Sequence, residues 1–169
     1  MAKHAVVRTD LMDGTDVRGQ LVSVKYMGAD GATPTEIDNG NVLKVESLID
    51  GEREVYAGVT PAADTTITDI VLVASVEVMY DERKKNLDEY VNEENKICRG
   101  YRLHHGNIFS VTKDALDGAA TPAVGNIVEL KAGTKLNVAG EATEGSTVVG
   151  KIIDIEIAGR YTYYAIKID

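Results

Sequence analysis

Few side chains in this chain carry metal or nucleophile chemistry. His4, His104, His105 and Cys98 are its soft ligands. Structural zinc needs a full ligand set at recognisable spacing. His104 and His105 are adjacent, so on a strand they point to opposite faces and do not converge on one ion. Asp10, Asp13 and Asp16 recur every third residue around Gly14. A calcium loop sets its acids closer, as D-x-D-x-D-G, with a later bidentate Glu. That spacing predicts a solvated turn, and no metal is expected. Cys98 lies between Ile97 and Arg99 without a partner motif and reads as a small, partly buried residue. The chain has no G-x-S-x-G elbow, no Cys-His signature, no G-x-G-x-x-G and no Walker loop. No catalytic residue, no cofactor and no enzymatic activity are expected. Tyr161, Tyr163 and Tyr164 form a different kind of cluster. Tyrosines are enriched at interfaces and are also common in strand hairpins for packing, so these three are self-association candidates with both roles open.

Charge narrows the partners. The formal net charge is −9 over 169 residues. Nucleic-acid binding needs a basic stripe that displaces counterions, and the longest basic run, Arg83-Lys84-Lys85, sits among acids. No nucleic-acid partner is expected. No stretch approaches the roughly 20 apolar residues that span a bilayer, and the first residues lack the apolar run of a secretory signal, so no membrane partner is expected. Cys98 is the single cysteine, which excludes an internal disulfide. The acidity suits a surface displayed on a large assembly.

The elements that would position these residues read as strands. Val and Ile are abundant and Asp-Gly pairs punctuate the chain at 13–14, 30–31, 50–51 and 117–118. Gly40-Asn41, Gly106-Asn107 and Gly125-Asn126 each precede an apolar run, a turn feeding a strand. The pattern predicts a mainly β fold of small barrel or sandwich-like units with one or two short helices, at Asp81–Val91 and Thr112–Leu116. Helix is expected in less than about a fifth of the chain. Leu21–Tyr26, Val42–Leu48, Glu54–Val59, Ile70–Ala74, Arg99–Leu103 and Gly106–Val111 are expected strands. Ile70-Val71-Leu72-Val73 is apolar without alternation and should be buried on both faces. The expected organisation is an N-terminal arm (1–17), a β-rich domain (18–117) with a polar excursion at 80–96, and a C-terminal β-subdomain (123–169) beyond the small-residue linker Gly118–Pro122. In the last hairpin Ile153, Ile155 and Ile157 alternate with Asp154 and Glu156, which predicts the isoleucines on the inner face.

Two segments carry a family resemblance. Val76-Glu77-Val78-Met79-Tyr80-Asp81-Glu82-Arg83 through Asn92, then Arg99–Leu103 and Gly106–Thr112, resemble phrases in phage structural proteins of Gram-positive hosts. Val124-Gly125-Asn126-Ile127-Val128 and Val149-Gly150-Lys151-Ile152-Ile153 resemble the small β-domains of head decoration (cement, or capsid-stabilising) proteins of tailed bacteriophages. The resemblance covers half to two-thirds of the chain and carries a role without site residues. It implies a β-rich structural protein of the virion, assembled in the host cytoplasm. The protein would bind the major capsid protein on the outer capsid surface, as a homo-oligomer, often a trimer. In such proteins an N-terminal arm often holds the capsid, which makes Ala5, Val6 and Val7 the capsid-contact candidates. The alternative is a small β-barrel adaptor module recognising a protein or carbohydrate. The absence of Trp platforms counts against carbohydrate.

Overall fold

A computed structural model describes residues 3–12 and 20–169. Its strands are β1 (Val7–Leu11), β2 (Leu21–Tyr26), β3 (Val42–Leu48), β4 (Val55–Val59), β5 (Ile70–Val73), β6 (Cys98–Arg102), β7 (Ile108–Val111), β8 (Leu116–Gly118), β9 (Ile127–Glu129), β10 (Leu136–Ala139), β11 (Val148–Ala158) and β12 (Tyr161–Ile168). The fold is mainly β, with 42% strand and 6% helix, well inside the helical limit set by the sequence. Five strands close a small barrel in the order β2-β4-β3-β5-β6. The others form a seven-stranded sheet, β1-β7-β12-β11-β9-β10-β8.

Strand β5 joins the two layers. Its four residues are all buried. Val71 and Val73 point into the barrel with Val24, Leu43 and Cys98. Ile70 and Leu72 point the other way, into a core shared with Phe109, Val111, Leu136, Ile152 and Ile166 of the large sheet. Alternate residues thus serve two cores, which is why the run carries no polar alternation. The barrel is narrow enough to exclude a side chain at Gly58, where a Cβ would lie 2.6 Å from Val24 and 2.8 Å from Leu43.

The three Gly-Asn phrases share one backbone device. Gly40, Gly106 and Gly125 have φ of 85°, 86° and 90°. Each glycine N–H donates to one residue of another strand or its flank, Val73, Ile168 and Ile152 respectively (2.7, 3.0 and 2.8 Å). The same three residues donate their own N–H to the carbonyls of Asn41, Asn107 and Asn126 (2.9 Å in each case). Each turn therefore docks on a single residue through two hydrogen bonds before β3, β7 or β9 begins.

Several expectations need correction. The helix expected over Asp81–Val91 is a single 3₁₀ turn, Leu87–Glu89. That over Thr112–Leu116 is another, Lys113–Ala115. Thr112 does not cap it, because its hydroxyl accepts the Val6 N–H (3.1 Å). The linker at 118–122 separates no subdomain: β7 pairs with β12, and β8 pairs in parallel with β10. The last barrel strand ends at Arg102, and β7 and β8 belong to the large sheet. The hairpin phase also differs. Ile152 opposes Ile166, but Ile155 opposes Tyr164, so a register shift at Ile153 moves the strand by one residue. Ile152 and Ile155 then face the core, while Ile153 is turned out by the bulge and Ile157, at the hairpin tip, is 78% exposed.

Candidate functional site

The N-terminal capsid-contact candidates are not presented to a partner. Ala5, Val6 and Val7 are buried within this chain. Val7 opens β1 and pairs with Val111. The Val6 carbonyl accepts the Thr112 N–H (2.9 Å), the Val6 N–H donates to the Thr112 hydroxyl (3.1 Å), and the Ala5 N–H donates to Asp38 (3.4 Å). The His4 N–H donates to the Asp88 carbonyl, and its ring Nδ1 lies 2.7 Å from Asp38 Oδ1. The described part of the expected arm is therefore a sheet strand and its lead-in. The remainder, with Asp13 and Asp16, lies outside the described residues.

The tyrosines are also occupied internally. Tyr163 is buried, with the Arg8 guanidinium 4.4 Å above its ring. Arg8 also bonds Glu156 at 2.6 Å. The Tyr161 ring sits 6.1 Å from that of Tyr163, and its hydroxyl donates to Asp88 Oδ1 (3.1 Å). Arg160 holds the other oxygen of Asp88 (3.1 Å). Tyr164 faces the opposite side and packs on the shared core. The three rings divide between two faces of β12, and their contacts tie the hairpin tip to the body.

Cys98 is buried in the barrel, and burial pushes its thiol up to about 11, against smaller opposing effects of Ser75 and Lys96. It is a poor nucleophile at neutral pH. His104 and His105 are exposed beside the second Gly-Asn turn. Among the described residues no group of three or more His, Cys, Asp or Glu side chains has metal-holding geometry.

The feature with the clearest outward address is the excursion between β5 and β6. From Ser75 to Tyr80 the chain belongs to no ladder, and its exposure alternates. Val76, Val78 and Tyr80 are 60%, 49% and 94% exposed. Ser75, Glu77 and Met79 between them are half-buried. The Val78 N–H donates to the Val76 carbonyl (2.9 Å), a tight turn, and an apolar side turned outward inverts the usual pattern. Its orientation is fixed by Asn39, which is buried. The Asn39 amide nitrogen donates to the Ser75 carbonyl (2.8 Å) and to Glu77 Oε1 (3.1 Å), and its oxygen accepts the Ser75 N–H (3.0 Å). Asn92, also buried, donates to the same Asn39 oxygen (3.0 Å). Tyr90 donates its hydroxyl proton to Asn92 (3.0 Å), and Lys96 donates to the Tyr90 oxygen (2.8 Å) while lying 4.7 Å from its ring. This network joins the two limbs of the excursion. Between them runs an open groove of about 710 Å³, with Val78, Tyr80, Tyr90 and Val91 along it and Glu93 and Glu94 at its side.

Sequence reasoning missed Asn39 and the outward sense of Val76, Val78 and Tyr80. The alternation was visible, but alternation alone does not say which face meets solvent. It also missed Glu129, which is 1% exposed. Its carboxylate accepts from Asn137 (2.8 Å), the Thr143 N–H (2.8 Å) and the Thr143 hydroxyl (2.6 Å). Burial pushes its pKa up, and the Thr143 and Asn137 donors outweigh that and hold it below the ordinary value. No family model, curated protein or solved structure matches the chain.

Proposed function

We propose that the protein is a structural virion protein that binds the outside of a tailed-phage capsid and stabilises the shell. The observation that carries this is the exposed apolar surface of the excursion. Val76, Val78, Tyr80, Leu87 and Ile97 all stand out to solvent within one stretch. The phrase from Val76 to Asn92 is also the one that resembles phage structural proteins. Attachment through the excursion replaces attachment through Ala5, Val6 and Val7, whose side chains are buried in the fold. The partner is the major capsid protein. Repetition over a lattice, with self-association as a trimer, turns modest single contacts into firm attachment. This role needs no catalytic residue, cofactor or nucleic acid.

The test is co-sedimentation of the purified full-length chain with capsids lacking it. The protein should pellet with the capsids in saturable fashion. Protein that stays in the supernatant at saturating capsid would overturn the proposal and favour the adaptor alternative.

A further inference from the structure

We infer that Asn39-Gly40 is a latent self-modification site. The closed excursion keeps it unreactive; once the excursion opens, water converts Asn39 to aspartate or isoaspartate, and the clamp does not re-form. Asn39 is the one asparagine of the chain that glycine follows. With no Cβ, glycine leaves its own backbone nitrogen unshielded, and asparagine is among the residues least durable to begin with. The fold calls for both residues. Gly40 has a φ of 85°, and a Cβ there would lie 3.1 Å from side-chain carbons of Val111 and Ala115. Asn39 supplies a donor and an acceptor to Ser75 at once, which an ionised aspartate cannot do.

The reaction exchanges ammonia for water. The Gly40 nitrogen gives its proton to a solvent base and attacks Asn39 Cγ. The new N–Cγ bond closes a five-membered imide. The Cγ–Nδ2 bond breaks, and Nδ2 leaves as ammonia with a proton taken from water. Water then opens the imide at one of its two carbonyls. Opening at Cγ leaves an aspartate in the normal chain; opening at the backbone carbonyl leaves an isoaspartate, with the chain running through the side chain.

The closed fold blocks the first step. Asn39 is 1% exposed, which keeps solvent base and water away. The Gly40 N–H is held by the Val73 carbonyl (2.7 Å), so the nitrogen keeps its proton. The carboxamide is fixed by four hydrogen bonds to Ser75, Glu77 and Asn92 and is not free to turn onto that nitrogen. All three partners lie in the excursion, so one opening releases all four bonds. An aspartate does not rebuild the clamp. It would set a carboxylate oxygen against the Ser75 carbonyl and the Glu77 carboxylate, where an amide N–H stood. An isoaspartate would lengthen the backbone just ahead of the turn at Gly40.

The experiment incubates the purified full-length chain in mildly alkaline buffer. Mass spectrometry follows the peptide carrying Asn39, and chromatography separates its isoaspartyl form. Folded wild type should convert at least about tenfold more slowly than the same chain held unfolded in urea. Ser75→Pro/Glu77→Ala removes two clamp contacts and, folded by circular dichroism, should convert faster than wild type. In low urea, wild-type conversion should rise in step with amide exchange at Ser75, whose N–H the same opening releases; this arm needs no variant. Equal rates in folded and unfolded wild type overturn the inference. So does a folded double variant no faster than wild type, or conversion that follows global unfolding alone. Asn39→Asp, or wild type recovered after conversion, should exchange its Ser75 amide faster than fresh wild type. Unchanged exchange there overturns the loss of the clamp.

Discussion

Glu129 shows how a single side chain sets a condition on the whole fold. It is a carboxylate in the interior held by Thr143 and Asn137, with no ion pair among the described residues. Its pKa in the folded protein is below the ordinary 4.5. The linked stability is therefore fully present above the unfolded value and is lost as pH falls through the folded one. Glu129→Gln should lower stability at neutral pH by about 1–3 kcal/mol and flatten the acid limb below pH ~4.5. Urea melts at stepped pH values will show this, and parallel acid limbs in both proteins would refute it. Gly58 sets a second residue-scale condition. A methyl there meets Val24 and Leu43 well inside contact distance, so Gly58→Ala should cost about 1–3 kcal/mol by overpacking. An unchanged melting temperature would mean the barrel relaxes freely.

At the scale of elements, the turns and the double-faced strand were legible and the excursion was not. Gly-Asn before an apolar run announced β3, β7 and β9 because the positive φ and the strand that follows are both local properties. The unbroken apolar run of β5 announced burial on both faces for the same kind of reason. The helix expected at Asp81–Val91 failed because Tyr90 is drawn into the Asn92 and Lys96 network, a tertiary contact that local spacing does not contain. The bulge at Ile153 is equally silent in sequence, since it depends on pairing with β12. Asn39→Ala should release the Ser75–Tyr80 segment and leave buried groups unpaired, at about 1–3 kcal/mol. Faster amide exchange at Ser75, with little change in β9 to β12, is the expected signature; unchanged exchange at Ser75 would remove Asn39 from its role as clamp.

For the whole molecule, the sequence order misled about the boundaries. β1 begins near the start of the chain and ends up on the large sheet beside β7, and the shared core takes side chains from both sheets. A strand-pairing partner far along the chain leaves no local mark, so the arm and the C-terminal subdomain were plausible units that pairing dissolves. Deleting Met1 to Val7 should therefore destabilise the fold as a whole, since each buried valine contributes about 1.5–3 kcal/mol. Thermal melting of the truncated chain at or above the wild-type temperature would contradict this. The surface proposed to bind was marked in the sequence only by a resemblance of phrasing, and its exposure came from the fold. A cryo-EM map of the phage particle tests the central claim most directly. The account predicts this chain on the outer face of the shell with Val76, Val78 and Tyr80 against a capsid segment. Density that places the excursion toward solvent, or a shell without this chain, would contradict it.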